Sequence, residues 1–379
     1  MNIIQVCPYD LSIPGGVQSH VTQLSNELTR KNHNVMVFAP SLTKSSLERK
    51  FDCEVKYLTK AKRVGIWGTS VDISVLNSTE KERTLDIIKN FNPDVVHFHT
   101  IWNPLMQTQL LGLLPKGVKK VGTFHDTPPD FGIGKYVGGN LMRLAAKYYL
   151  PKVDEIISVS KTQANAMGVN FQNPPGNFRI LPNGIDADAG DGLSPTPPEK
   201  NEFRLIFIGR FESRKGVFDL LEVYRRLKEG DLGQDVTLKM LGNGPLLPKA
   251  KTFVEENRLE GISFFEQTSD DEKNQMLLDS DLLVAPSLYG ESFGIVLLEG
   301  MALGVKVAGY GNDGYLNIGR KYGVDNFPPP GDTDALFELL KKHIQSPEEM
   351  EALIEKGLKI AGEHDWKLLT EKIEKIYAN

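Results

Sequence analysis

The chain reads as an α/β protein of two doubly wound, Rossmann-like domains, and two observations predict it. Short apolar runs alternate with helical patterns along the whole length, and a polar, Pro-rich break divides them into two sets. The first set is 2-NIIQVC-7, 34-NVMVFA-39, 94-DVVHFH-99, 120-KVGTF-124 and 155-EIISV-159. The second is 203-FRLIFIG-209, 236-VTLKML-241, 262-ISFF-265, 281-DLLVAP-286 and 304-GVKVAG-309. Between the first two runs, Val17, Val21, Leu24 and Leu28 mark one helical face. Such β-α-β alternation implies parallel sheets covered by helices. The break at 187-ADAGDGLSPTPPEK-200 has the composition of a linker, and Asn183-Gly184 just before it reads as a tight turn. The expected division is therefore a first domain over 1–186, a linker over 187–200 and a second domain from 201. The two domains are expected to face each other across a cleft, with ligands beyond the carboxyl ends of the strands.

Composition narrows the classes. At 379 residues, 40% hydrophobic and 25% charged, the chain is long enough for two sizeable cores. No run approaches the roughly 18 consecutive apolar residues of a spanning helix. The first residues enter a strand pattern with no charged leader region, so a cytoplasmic location is expected, with contact at the inner face of a membrane. Cys7 and Cys53 stand in neither a metal-ligand nor a redox spacing. The formal charge of −5 hides a division: residues 1–183 hold 21 Lys+Arg against 14 Asp+Glu, and the remainder 23 against 35. A basic first half suits an anionic acceptor or an anionic membrane surface. Its densest part, residues 44–63, holds seven basic residues against three acidic, and a solvated face is the plainer account of that run. Negative total charge, and basic residues not interleaved with aromatics, argue against nucleic acid as a partner.

The stretch 289-YGESFGIVLLEGMALG-304 carries the most chemistry. Gly290 and Gly294 bracket a tight loop, while Ile295, Leu298 and Ala302 recur at helical spacing, so a helix is expected just after Glu291. Eight residues at the helical rise would place Glu291 and Glu299 about 12 Å apart, close to the reach of a sugar diphosphate back to its ribose. Free N–H groups at the helix start, in the Ser292-Phe293-Gly294 stretch, suit the diphosphate. Two incidental glutamates on a buried helix are the simpler account of this spacing alone.

Four further loops follow predicted strands. In 8-PYDLSIPGGVQSH-20, Gly15 and Gly16 precede a helix and allow backbone to approach a phosphate; the strict G-x-G-x-x-G of a nicotinamide dehydrogenase is absent. In 122-GTFHDTPPD-130, His125 and Asp126 emerge at a strand end, whereas His97 and His99 read as structural. In 209-GRFESRKG-216, Arg210 offers a bidentate contact to a leaving diphosphate and Lys215 a point charge. In 266-EQTSDDEK-273, Asp270 is placed to accept the two donors on a guanine edge. Each loop has a plainer reading as exposed charge or turn, but together they read as a sugar-nucleotide transferase.

With those residues in place, the chain resembles the retaining glycosyltransferases of GT-B fold, family 4, nearly end to end. The matching stretches are PGGVQSH at 14–20, TFH at 123–125, LPNGID at 181–186, GRFESRKG, GNGP at 242–245, SDLLVAPS at 280–287, GESFGIVLLEGMALG and HDW at 364–366. Within that family the opening loop and GESFGIVL resemble the phosphatidylinositol mannosyltransferases. The resemblance implies hexose transfer with retention from a nucleoside-diphosphate sugar, GDP-mannose or a UDP-sugar, to a lipid or saccharide acceptor. It assigns Gly16 to the donor diphosphate, His125 to the transferred sugar, Arg210 and Lys215 to the diphosphate, Asp270 and Lys273 to the base region, Glu291 to the sugar hydroxyls and Glu299 to the ribose. It implies no metal, so 186-DAD-188 and 332-DTD-334 read as loop accidents. It also implies that residues 364–379 cross back to the first domain.

The acceptor side departs from the pattern. No Arg or Lys stands between Val64 and Ser74, where Asp72 appears instead; the helix at 79–90 has mixed charge; and Lys306 replaces a usual proline. A sugar-nucleotide epimerase would need further carboxylates and histidines around the sugar. A non-catalytic partner subunit would be expected to have lost Glu291, Lys215 or Arg210, and all three are present.

Overall fold

The structure is a computed structural model describing residues 1–13, 15–42, 50–66, 69–101, 105–125, 132–169, 175–199, 201–230, 232–346, 348 and 351–379. The chain divides into two compact units, Met1–Gly184 with Trp366–Asn379, and Ile185–Asp365.

The first unit holds eight strands: β1 (Asn2–Val6), β2 (Asn34–Ser41), β3 (Glu54–Ile66), β4 (Thr69–Ser74), β5 (Val95–His99), β6 (Lys119–Phe124), β7 (Glu155–Ser158) and β8 (Phe178–Ile180). Their order in the sheet is β4-β3-β2-β1-β5-β6-β7-β8, parallel throughout except for the antiparallel pair β3–β4. Central strands such as β2 are buried along nearly their whole length, as strands covered by helices on both faces must be. β3 is different. Of its residues 54–64, only Leu58 is buried, and its Lys56, Lys60, Lys62 and Arg63 are half-buried or exposed, one strand in from the edge strand β4. The described part of the basic run at 44–63 is therefore largely the solvated strand β3; residues 44–49 lie outside the described residues. Across the hairpin, Arg63 Nε and an Nη atom donate to the fully buried Asp72 at 2.8 and 3.0 Å, and the Asp10 N–H donates to it at 3.3 Å. Asp72 is thus a structural counter-ion to Arg63.

The C-terminal helix Trp366–Ala378 packs into the first unit, where Trp366, Leu369, Ile373 and Tyr377 share a buried cluster with Ile3, Leu24, Val95 and Val121. Trp366 explains one glycine: a Cβ on Gly184 would lie 2.5 Å from the indole, so position 184 needs a residue without one; the tight turn expected at Asn183-Gly184 does not form, and the chain runs without regular structure into the Ile185–Asp365 bridge.

The second unit holds β9 (Glu202–Ile208), β10 (Asp235–Leu241), β11 (Ile262–Phe265), β12 (Leu282–Ala285) and β13 (Lys306–Gly309), all parallel, in the order β11-β10-β9-β12-β13. Residues 187–199, expected as part of a linker, lie in this unit. The Thr196 N–H donates to Asp279 at 2.7 Å, and Gln275 Nε2 donates to the Ser194 carbonyl at 2.9 Å. Backbone pairing to a folded helix ties this Pro-rich segment down despite its composition. Strand order reverses between β1 and β5 in the first unit and between β9 and β12 in the second, where diverging loops leave a crevice at the carboxyl ends.

Candidate active site

Five charged side chains gather beyond the β9 and β12 ends. A turn at 209–216 follows β9 and a loop at 286–294 follows β12; the Leu288 N–H donates to the Arg214 carbonyl at 2.7 Å and ties them together. Lys215 Nζ donates to Glu291 Oε1 at 2.6 Å, and an Arg214 Nη donates to the same oxygen at 3.1 Å. Arg214 Nε also donates to Glu212 at 2.9 Å, and Arg210 pairs with the other Glu212 oxygen at 2.9 Å. Glu212 is buried, Lys215, Glu291 and Arg214 are partly so, and Arg210 is exposed. Three cations against two carboxylates leave one excess positive charge, suited to an anionic leaving group.

The electrostatics agree with that arrangement. Burial pushes the Glu291 carboxyl up, but Lys215 and Arg214 together outweigh it and hold the group below its ordinary value. Burial lowers Lys215, and the Arg214 charge adds to this against the pull of Glu291. Burial also works against the Arg214 charge, yet Glu291 and Glu212 more than compensate and its pKa rises. Arg214 and Glu212 are the members that reading the sequence missed, although both lie within GRFESRKG. Nothing in the spacing said that Arg214, rather than Arg210, would reach the Glu291 carboxylate.

Glu291 stands in the loop, not on the helix, which runs Ile295–Ala302. Gly290 and Gly294 have φ of 75° and 99°, left-handed values that pass a glycine easily and stop the helix from starting earlier. Phe293 turns its ring into the core beside Leu297 and 5.4 Å from the His364 ring, so its backbone is what it can offer a ligand; Ser292 stays half-buried. Glu299, on the helix, accepts from Lys273 Nζ at 2.9 Å, and Asp270 lies 3.4 Å from the same ammonium. Burial lowers Lys273, but Glu299 and Asp270 outweigh it and raise its pKa. The stretch expected as a loop at 266–273 is partly helical. Ser269 and Glu272 form a reciprocal capping box, and Asp270, well exposed, sits in the first turn of the helix Asp270–Leu278.

The first unit gathers a different set. Gly16 opens the helix Gly16–Arg30, with Gly15 as an extended cap and no side chain capping the free N–H groups. His125, at the end of β6, is buried, and Asp126 lies outside the described residues. Of the two histidines expected to be structural, His99 meets His125 directly, and His97 joins it through Gln5 and Tyr377. Gln5 Oε1 accepts from His99 Nε2 at 2.7 Å, so His99 Nδ1 accepts from His125 Nε2 at 3.1 Å. Gln5 Nε2 donates to Tyr377 Oη at 3.0 Å, the Tyr377 hydroxyl to His97 Nδ1 at 2.7 Å, and His97 Nε2 to Thr123 Oγ1 at 2.6 Å. His20 Nδ1 donates to Asn183 Oδ1 at 3.1 Å, and the His20 ring meets that of His125 edge-on at 4.5 Å.

Burial lowers the pKa of His20 to about 3 and holds His97, His99 and His125 well below the ordinary range. All four are neutral at pH 7. Among the described residues, His20, His99 and His125 are the three that bring ligand nitrogens within 4.8 Å of one another. Hydrogen bonding among neighbours already engages their rings. His20 lay unnoticed in the sequence as one polar position on a helix.

The Glycosyltransferase Family 4 model matches residues 14–189, and the model described as Glycosyl transferases group 1 matches 194–360. A phosphatidyl-myo-inositol mannosyltransferase of Mycobacterium leprae is 28% identical over 388 residues, covering 100% of this chain and 96% of that protein. A glycogen synthase of Mycobacterium tuberculosis is 24% identical over 403 residues, covering 100% and 94%. Among solved structures, Anabaena Alr3699/HepE in complex with UDP and glucose superposes with a TM-score of 0.76 at 15% identity, covering 100% of both chains. A glycosyltransferase from Rickettsia africae gives 0.73 at 18% identity, covering 99% and 97%. With two GT-B sheets, a family 4 region and a group 1 region together spanning nearly its whole length, the chain belongs to the family 4 glycosyltransferases of GT-B fold.

Proposed function

We propose that the enzyme transfers a hexose, mannose from GDP-mannose being the first choice, from a nucleoside diphosphate to a lipid or saccharide acceptor with retention of configuration. The Arg214–Lys215–Glu291 cluster at the β9–β12 switch point carries this reading. In a reaction of this kind the donor's anomeric C–O bond breaks, negative charge grows on the leaving diphosphate and positive charge on the sugar ring. Lys215 and Arg214, with Arg210 beside them, stabilise the first of these charges. Glu291 is held ionised by the same cations, and its carboxylate serves the sugar hydroxyls. Lys273, Glu299 and Asp270 form a second polar group in the same unit, suited to ribose and base. Within the first unit, the N–H groups at Gly15 and Gly16 suit an anion, and the backbone of His125 suits a sugar hydroxyl.

The mannosyl branch draws support from the mannosyltransferase relative, which matches along the full chain. Calorimetric titration with GDP and UDP in parallel, with chelator present, tests the reading. Tight binding of GDP alone supports the mannosyl donor, and tight binding of UDP alone moves the proposal to a UDP-sugar. Binding of either under chelator also supports the metal-free expectation. Binding of neither would overturn the donor site and favour a non-catalytic role.

A further inference from the structure

Four of the twelve large apolar side chains exposed among the described residues lie on one helix: Val137, Leu141, Leu144 and Tyr148, on Gly132–Tyr149. The remaining eight lie on other segments, none of which carries so many, and single exposed apolar side chains are ordinary for a protein surface. At about 100° per residue the four fall within an arc of roughly 60°, and the stripe is about 16 Å long. The helix is anchored by its other side: Ala146 and Tyr149 are buried with Val153 in the main core cluster, and the Tyr149 hydroxyl meets Thr108 Oγ1 at 2.5 Å. Its apolar stripe is thus left facing outward by a helix that cannot roll over to hide it.

Charge says what covers the stripe. No acidic residue occurs from Phe131 to Val153, a stretch that contains Lys135, Arg143, Lys147 and Lys152. Arg143 and Lys147 are exposed on one flank, and Lys152 Nζ stands 3.0 Å from the centre of the Tyr148 ring, at the end of the stripe. Beyond the helix, Asp154 is drawn towards Lys120 at 3.7 Å, and exposed Lys161 opens the next helix. An apolar ridge flanked by cations and free of anions matches an interface of acyl chains below anionic headgroups. Among the described residues no helix is long and apolar enough to cross a membrane, so any such contact would lie along the surface.

We propose that the helix Gly132–Tyr149 docks this enzyme on an anionic lipid bilayer, with Leu141 and Leu144 entering the interface and Arg143, Lys147 and Lys152 meeting the headgroups. Its purpose, access to a lipid acceptor, rests on the proposed function above; the contact itself does not. The assignment differs from that suggested by the basic run at 44–63 and from the mixed-charge helix at 79–90, and places the contact on apolar area instead of on charge alone.

Co-sedimentation of the full chain with vesicles of phosphatidylglycerol mixed into phosphatidylcholine, and with pure phosphatidylcholine, tests it. Retention on the anionic vesicles at low salt, weakened by high salt, is expected, with little on the neutral ones. The double variant Leu141→Asp with Leu144→Asp should bind the anionic vesicles at least about tenfold more weakly, because it removes two buried leucines and adds two like charges. Failure of the parent chain to sediment would overturn the proposal, as would a double variant that sediments equally well. A parent chain that dimerises, with a monomeric variant and no lipid binding, would assign the stripe to a second copy and also overturn it. Charge reversal at Arg143 and Lys147, both exposed, repeats the test should the double variant misfold. Nucleotide titration of the same proteins separates the two readings: vesicle binding without GDP or UDP binding leaves the docking face standing and removes the donor site, and the converse removes only the docking face.

Discussion

The switch point of the second unit holds five charges, and the first unit gathers along β1, β5 and β6 and just past β6 a set of neutral rings and amides. Sheet topology is nearly the same in both, so the difference is chemical. In the second unit Arg214 and Lys215 converge on one Glu291 oxygen, and the excess charge is positive. In the first, His125, His99, Gln5, Tyr377, His97 and Thr123 pass hydrogen bonds in one direction without an ion. Burial is extreme there, and a charged imidazole would lose its hydration with no carboxylate to replace it.

Acid should break the comparison most strongly. His20 has a folded pKa of about 3 against an ordinary 6.5, and His97, His99 and His125 are lowered too. A lowered histidine contributes stability that is fully present above the unfolded pKa and is lost as pH falls from there through the folded value. The histidines should therefore destabilise the first unit progressively as pH falls below 6.5. Glu291, also lowered, keeps its contribution until pH falls below the ordinary carboxylate range. Hydrogen exchange at pH 5 should show the first unit opening before the second; simultaneous opening would mean that the histidines are not held neutral.

Removing a charge sharpens the comparison from the other side. Lys215→Ala should lower kcat by about 100-fold, as loss of a group that stabilises developing charge does. Unchanged turnover with the native acceptor would remove Lys215 from the mechanism. Asn183→Ala leaves the His20 Nδ1–H without its acceptor and should cost about 1–3 kcal/mol in denaturant unfolding, with little effect on nucleotide affinity. Glu299→Ala should weaken nucleotide binding by about tenfold, a larger effect than its cost in melting, since Asp270 still faces the Lys273 ammonium. Equal affinity by calorimetry would show that the ribose assignment is wrong.

Much of the fold was legible because buried parallel strands are written as apolar runs. All ten predicted strands occur, with ends shifted by a residue or two. The three missed strands lack that mark. β3 is rich in lysine and mostly unburied, the edge strand β4 pairs with it as a hairpin partner, and β8 is three residues long. The helix after Glu291 begins later than its spacing implied, because left-handed glycines hold residues 290–294 in a loop.

By itself, the sequence determined the class: periodicity specified the two sheets, and the motifs at their strand ends specified the family, since both are local patterns. The tertiary structure alone decided which arginine meets Glu291, that Asp72 answers Arg63, and that His20 and His125 share a cluster with Gln5 and Tyr377. Those partners lie up to 372 positions apart in the chain. Hydrogen bonds and ion pairs depend on tenths of an ångström, and only packing sets distances that finely.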